Sequence, residues 1–149
     1  MHTLNLPKYS LKLKKEGDKH FIFDSIRKKY LVLTPEEWVR QNFVEFLIQE
    51  KGYPKSLIAI EMGIEVNGRK KRCDIVLYNN TGKPQIIVEC KAPSIKISQD
   101  AFDQIARYNM TLETDILIVS NGLNHFVCKM NHQDQCYNFL KETPHYSEL

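Results

Sequence analysis

The chain has 149 residues, 42% of them hydrophobic and 26% charged, a globular composition that excludes a disordered or fibrous protein. Its apolar runs are a handful of residues long, too short for a bilayer span or a secretory signal, so the expected address is cytoplasmic. The net charge of +3 suits a polyanionic partner without requiring one.

This length predicts one domain, 1–149, with a self-sufficient core. Residues 1–33 read as an N-terminal strand extension, with Gly17 and Asp18 at a turn and Tyr30 to Leu33 as a strand. Lys8, Lys12, Lys14 and Lys15 there suit the solvated side of an edge strand. "TPEEWVRQNFVEFLIQEKGYP" predicts a helix: Thr34 is the N-cap, Pro35 the first helical residue, and Glu37 completes a capping box. Val39, Phe43, Phe46 and Leu47 form its apolar stripe, and Gly52 with Pro54 ends it.

Three strands follow. "SLIAIEMGIEV" leads into Asn67-Gly68, a two-residue hairpin signal, then "RCDIVLY" and "QIIVECK". A second helix fits "SQDAFDQIARYNMTL", capped by Ser98, with Phe102, Ile105 and Ala106 inward. "DILIVS" is a strand covered on both faces. "HFVCKM" and "QCYNFL" complete a C-terminal hairpin and tail over 123–149, so that 34–122 is the motif-bearing core. The order predicts an α/β fold, a mixed central sheet with flanking helices.

Charge interrupts two of these strands. In residues 85–91, Glu89 and Lys91 share a face and lie about 7 Å apart. If the strands are neighbours, Asp74 and Glu89 converge at one end of the sheet. Two carboxylates so placed repel unless a cation lies between them. Mg²⁺ suits the gap, with Asp74, Glu89 and the backbone carbonyl of Cys90 as oxygen ligands; Mn²⁺ would substitute. Lys91 would serve a metal-bound water and stabilise charge on a phosphate, parts sufficient for phosphodiester hydrolysis.

Asp74 followed fifteen residues later by Glu89-Cys90-Lys91 resembles the D…(E/D)-x-K signature of the PD-(D/E)XK nuclease superfamily. "PEEWVRQ", "GYP", "CDIVLY", "IIVECKAP", "QIARYN" and "IVSNG", in this order across 34–122, are similar to the N-terminal nuclease domain of type I restriction enzyme R subunits. The resemblance implies a restriction-endonuclease-like αβββαβ core and Mg²⁺-dependent DNA cleavage. It maps Asp74 and Glu89 to metal ligands and Lys91 to the catalytic lysine. Gln104 and Tyr108 match a Q-x-x-x-Y motif of this branch, on one helical face near the scissile phosphate. Many superfamily members add an acidic residue on the first helix. Here the comparable position is Gln41, flanked by Glu37 and Glu45, and with Glu61 these leave the third ligand open.

Arg40 and the run Arg69, Lys70, Lys71, Arg72 are candidate phosphate contacts, against the alternative of a solvated hairpin end. Glu61 reads as a paired strand carboxylate. His125, Cys128, His132 and Cys136 do not have the spacing of a zinc finger or ribbon. The four cysteines contain no C-x-x-C pair and read as free thiols, and the aromatic residues read as core rather than as a stacking platform. Nothing matches G-x-x-x-x-G-K-[ST], so a helicase, translocase or other restriction subunit would have to be a separate partner on the DNA. The competing function is a DNA-binding or assembly module of a restriction or translocase complex that does not cut. Oligomeric state and cleavage specificity stay open.

Overall fold

The computed structural model describes residues 2–149, apart from the side chain of Val66. Three short strands come first: β1 (Leu13–Glu16), β2 (Lys19–Asp24) and β3 (Lys29–Val32), paired antiparallel as their own sheet. Helix α1 (Pro35–Gln49) follows, then β4 (Ile58–Val66), β5 (Arg69–Tyr78), β6 (Pro84–Cys90), helix α2 (Gln99–Met110), β7 (Ile116–Ser120), β8 (His125–Asn131) and β9 (Cys136–Leu140). The last six strands form one sheet in sequence order, antiparallel except where β6 and β7 run parallel. That parallel step requires a crossover, and α2 supplies it.

Local chemistry accounts for the element ends. Thr34 accepts a hydrogen bond from the Glu37 amide at 3.0 Å, and Ser98 accepts one from the Ala101 amide at 3.1 Å. The capping box at α1 is only half made. The Glu37 carboxylate accepts from Arg40 and Gln41 instead of returning to the Thr34 amide. Asn67 and Gly68 both take positive φ, 50° and 78°, the backbone of a tight two-residue hairpin between β4 and β5.

Two cores sandwich the large sheet. On one face Val39, Phe43, Val44 and Leu47 of α1 pack against Ile60, Ile75, Ile86 and Val88. On the other, Phe102, Ala106 and Met110 of α2 pack against Val76, Ile87, Leu117 and Val119. All of β7 is buried, which explains its apolar run Ile116–Val119. Among the described residues no helix is long and apolar enough to cross a membrane.

Candidate active site

The site lies where β5 and β6 diverge, beneath the first turns of α1. Arg40 is its organising cation. Its Nη2 donates to Asp74 Oδ1 at 2.9 Å and to Glu36 Oε1 at 3.1 Å, and lies 3.2 Å from Glu61 Oε1. Its Nη1 donates to Glu37 Oε1 at 2.5 Å. The residue is only 4% exposed, and a buried charge persists only when paired. Burial alone would lower the Arg40 pKa, but Glu37 and Asp74 raise it above the ordinary arginine value.

Asp74 is held from a second direction. Its Oδ2 accepts the Cys90 amide at 2.7 Å, so the carboxylate lies against the Glu89–Cys90 peptide of β6. This contact follows from a break in the ladder. β4 pairs with β5 through Ile60↔Ile75 and Met62↔Cys73, but the intervening Glu61 and Asp74 do not pair. Glu61 sits at φ +53°, outside strand geometry. Beyond it the hairpin changes face: Ile60 and Ile75 pack with α1, while Ile64 and Cys73 pack with α2.

Glu89 faces the other way. It follows Ile87 by two residues and pairs in register with Val119, both on the α2 side. There its Oε1 contacts the Lys71 ammonium. Lys71 also lies 5.4 Å from the Tyr108 ring centroid, and the Tyr108 hydroxyl donates to the Lys70 carbonyl at 2.7 Å. Burial lowers the Lys71 pKa, and the charges of Asp74 and Lys91 both reach it, which marks one electrostatic neighbourhood. Glu36 carries the same signature. Burial and then Asp74 raise its pKa, while Arg40 and Lys91 oppose the rise.

Asp74 thus lies against the peptide that follows Glu89, but the two carboxylates leave their strands toward different sides. The family model for the type I restriction enzyme R protein N terminus matches residues 35–144, which contain this whole arrangement. The chain belongs to that family.

One solved structure of an R-subunit fragment shares the fold of this R-protein N terminus. The chain is similar to a fragment described as an HsdR subunit of a type I restriction enzyme from Vibrio vulnificus YJ016, with a TM-score of 0.54 at 20% identity. The match covers 78% of this chain and 24% of that one, so this chain spans about a quarter of that relative's length. No curated protein matches the sequence significantly.

Within this R-protein N terminus, the remaining candidate residues divide into engaged and free groups. Arg40 is buried among carboxylates rather than presented on a rim. In the basic run, Lys71 turns inward to Glu89 and Arg72 donates to Glu61 at 2.7 Å, leaving Arg69 and Lys70 exposed. Lys71 is the residue that sequence reasoning undervalued, reading it as part of an outer basic patch. Lys91 is half-buried and makes no side-chain ion pair among the described residues. Gln104 is exposed on α2, one turn before Tyr108.

Of the open third ligands, Gln41 donates to Glu37 Oε2 at 2.9 Å and Glu45 accepts from Gln49, so neither is free. Glu61 bridges Arg40, Arg72 and Arg27, and those arginines lower its pKa against the upward push of burial. Among the described residues no group of three or more His, Cys, Asp or Glu side chains is arranged to hold a metal. The donors are of the kind a hard divalent cation takes, but the two carboxylates point to different sides of the sheet, where Arg40 and Lys71 are their present counter-charges.

Proposed function

We propose that this R-protein N-terminal domain is an Mg²⁺-dependent DNA endonuclease of the PD-(D/E)XK kind, built on an αβββαβ core formed by α1, β4, β5, β6, α2 and β7. The observation that carries the reading is the hydrogen bond from the Cys90 amide to Asp74. It seats the aspartate of one strand against the Glu-Cys-Lys stretch of the next, in a chain whose family is that of restriction subunits.

Asp74 and Glu89 would hold the metal, with the Cys90 carbonyl as a further oxygen. When bound, Mg²⁺ supplies a more acidic water and screens phosphate charge. Lys91 orients the attacking water through its ammonium protons and stabilises negative charge growing on the phosphate. Gln104 and Tyr108 position the DNA strand from α2, and Arg69 and Lys70 contribute phosphate contacts. Arg40 acts from beneath, holding Asp74 in orientation. Translocation, where such an enzyme needs it, belongs to a separate helicase part or subunit.

One observation favours a second reading, a domain that binds DNA or assembles a restriction complex without cutting. Asp74 and Glu89 are each already neutralised, by Arg40 and Lys71, on different sides of the sheet. Incubating the protein with supercoiled and linear DNA in Mg²⁺ or Mn²⁺, against EDTA, separates the two. Metal-dependent cleavage by the wild type, lost in Lys91→Ala with folding and DNA binding intact, supports the nuclease. Cleavage that persists in Lys91→Ala refutes the assignment, and wild-type DNA binding without cleavage leaves the second reading.

A further inference from the structure

The outward face of the N-terminal sheet carries a pattern that the cleavage site does not use. In β2, Ile22 and Asp24 are buried against the body of the protein. By strand alternation Phe21 and Phe23 face the opposite way. The register lines them up with side chains of the neighbouring strands. Lys14 and Val32 flank Phe21, while Tyr30 pairs with Phe23 and the Lys12 carbonyl receives the Phe23 amide.

The result is an aromatic surface edged with lysine. The Phe23 and Tyr30 centroids lie 5.1 Å apart. Lys14 Nζ is 4.3 Å from the Tyr30 centroid, and Lys12 Nζ is 5.3 Å from that of Phe23. Tyr30 is 38% exposed and Val32 56%, high values for apolar side chains on a sheet. Residues 8–29 hold eight lysines and arginines against three acids, and one of those acids, Asp24, is buried and paired with Arg27.

We propose that this face binds a single DNA strand, its bases stacking on Phe21, Phe23 and Tyr30 and its phosphates meeting Lys12 and Lys14. Charge decides the occupant. A protein segment laid on the sheet would have to bury or pair this excess of lysine, whereas a nucleic acid strand supplies one anion per nucleotide beside an aromatic base. Cation–π contacts at exposed rings are weak, and so is the exposed Lys14–Glu16 pair at 3.0 Å, so the lysines can leave both for phosphates. Duplex DNA hides its base faces and is a poorer fit. The platform also adjoins the carboxylate site, since Arg27 in the β2–β3 turn lies 3.8 Å from Glu37 and 3.7 Å from Glu61.

The test is fluorescence anisotropy with labelled oligothymidylate of about 12 nucleotides, using the Lys91→Ala protein in EDTA so that no cleavage intervenes. Its outcome is independent of the nuclease reading, because binding is measured where hydrolysis is absent. Tyr30→Ala and Phe21→Ala should each weaken binding about five- to a hundredfold, while Tyr30→Phe retains it. Lys14→Glu should weaken it and flatten its salt dependence. Unchanged affinity in both ring variants, equal competition by duplex DNA, or no binding by the parent protein would each overturn the proposal. The last is also the result that a protein-docking face would give. Thermal melts of each variant confirm that the sheet is intact, and Tyr30→Phe controls for any loss of folding.

Discussion

The Arg40 guanidinium and the Asp74 carboxylate meet at 2.9 Å in a place almost closed to solvent, with Glu36, Glu37 and Glu61 drawn around the same cation. Three elements are joined there: α1, β4 and β5. The cluster is therefore structural as well as chemical, and the two roles separate on substitution.

Among the described residues, Arg40 alone contacts all four carboxylates, and Arg40→Met removes it. Two of them, Glu37 and Asp74, are largely buried; Asp74 would lose its ion pair, and Glu37 would keep only the Arg27 contact at 3.8 Å and the Gln41 hydrogen bond. Breaking a buried pair in this way costs about 3–5 kcal/mol. Urea denaturation should show a lower midpoint with an unchanged slope, since the surface exposed on unfolding stays the same. A loss under 1 kcal/mol would mean that the cluster behaves as a solvated surface network.

Asp24 contributes to the protein's stability against acid. Burial pushes its carboxyl up, but two hydrogen bonds from Arg27, the Gln41 side chain and the Arg27 charge outweigh this and hold it below its ordinary 3.8. A carboxyl depressed in the folded state stabilises the protein above its unfolded pKa, and that contribution is lost as pH falls through the folded value. Thermal melts from about pH 5 down to pH 2 should show the wild type losing stability, with a shallower loss in Asp24→Asn. Parallel curves for the two proteins would remove Asp24 from the account.

Gly122 joins the N-terminal segment to α1. It adopts φ +84°, and a Cβ there would come within 2.6 Å of Leu4 Cδ2 and 3.1 Å of Val39 Cγ2. Its carbonyl also accepts the Asn5 amide at 2.8 Å. Gly122→Ala combines backbone strain with a clash and should cost about 1–3 kcal/mol. Because the clash falls mainly on Leu4, Leu4→Ala in the same chain should relieve part of that cost. Strictly additive losses in the double variant would place the effect in the backbone alone.

What the sequence disclosed and what it hid divide along the range of the interactions. Thr34, Ser98 and Asn67-Gly68 act on backbone within four residues, and each marks an element where the structure has one. That β5 and β6 lie side by side was legible too, because neighbouring strands across a short turn rarely do otherwise. Lys71 was not. Its inward turn depends on Glu61 leaving strand geometry, which flips the face of every later residue in the hairpin, and no local pattern announces that flip. The aromatic face was hidden for a related reason: its rings and lysines come from three strands, and only register brings them together. The capping box failed because Arg40 and Gln41, on the same helix, compete for Glu37.

Lys71 gives a test of the metal assignment that does not depend on cleavage. Its ammonium is the cation against Glu89, a carboxylate only 8% exposed. Lys71→Ala leaves that charge buried without a partner and should lower stability by about 3–5 kcal/mol in EDTA. If Glu89 and Asp74 are metal ligands, Mn²⁺ replaces the missing cation and binds the folded state alone. Stability should then recover with metal concentration, by about 2.7 kcal/mol at one hundred times the dissociation constant. The wild type should respond less, because Lys71 competes for the same carboxylate. Adding Glu89→Gln to Lys71→Ala should abolish the metal response and restore much of the lost stability, since a neutral amide no longer needs a counter-charge. A variant whose melting point ignores Mn²⁺ would leave Glu89 as a structural partner of Lys71 and nothing more.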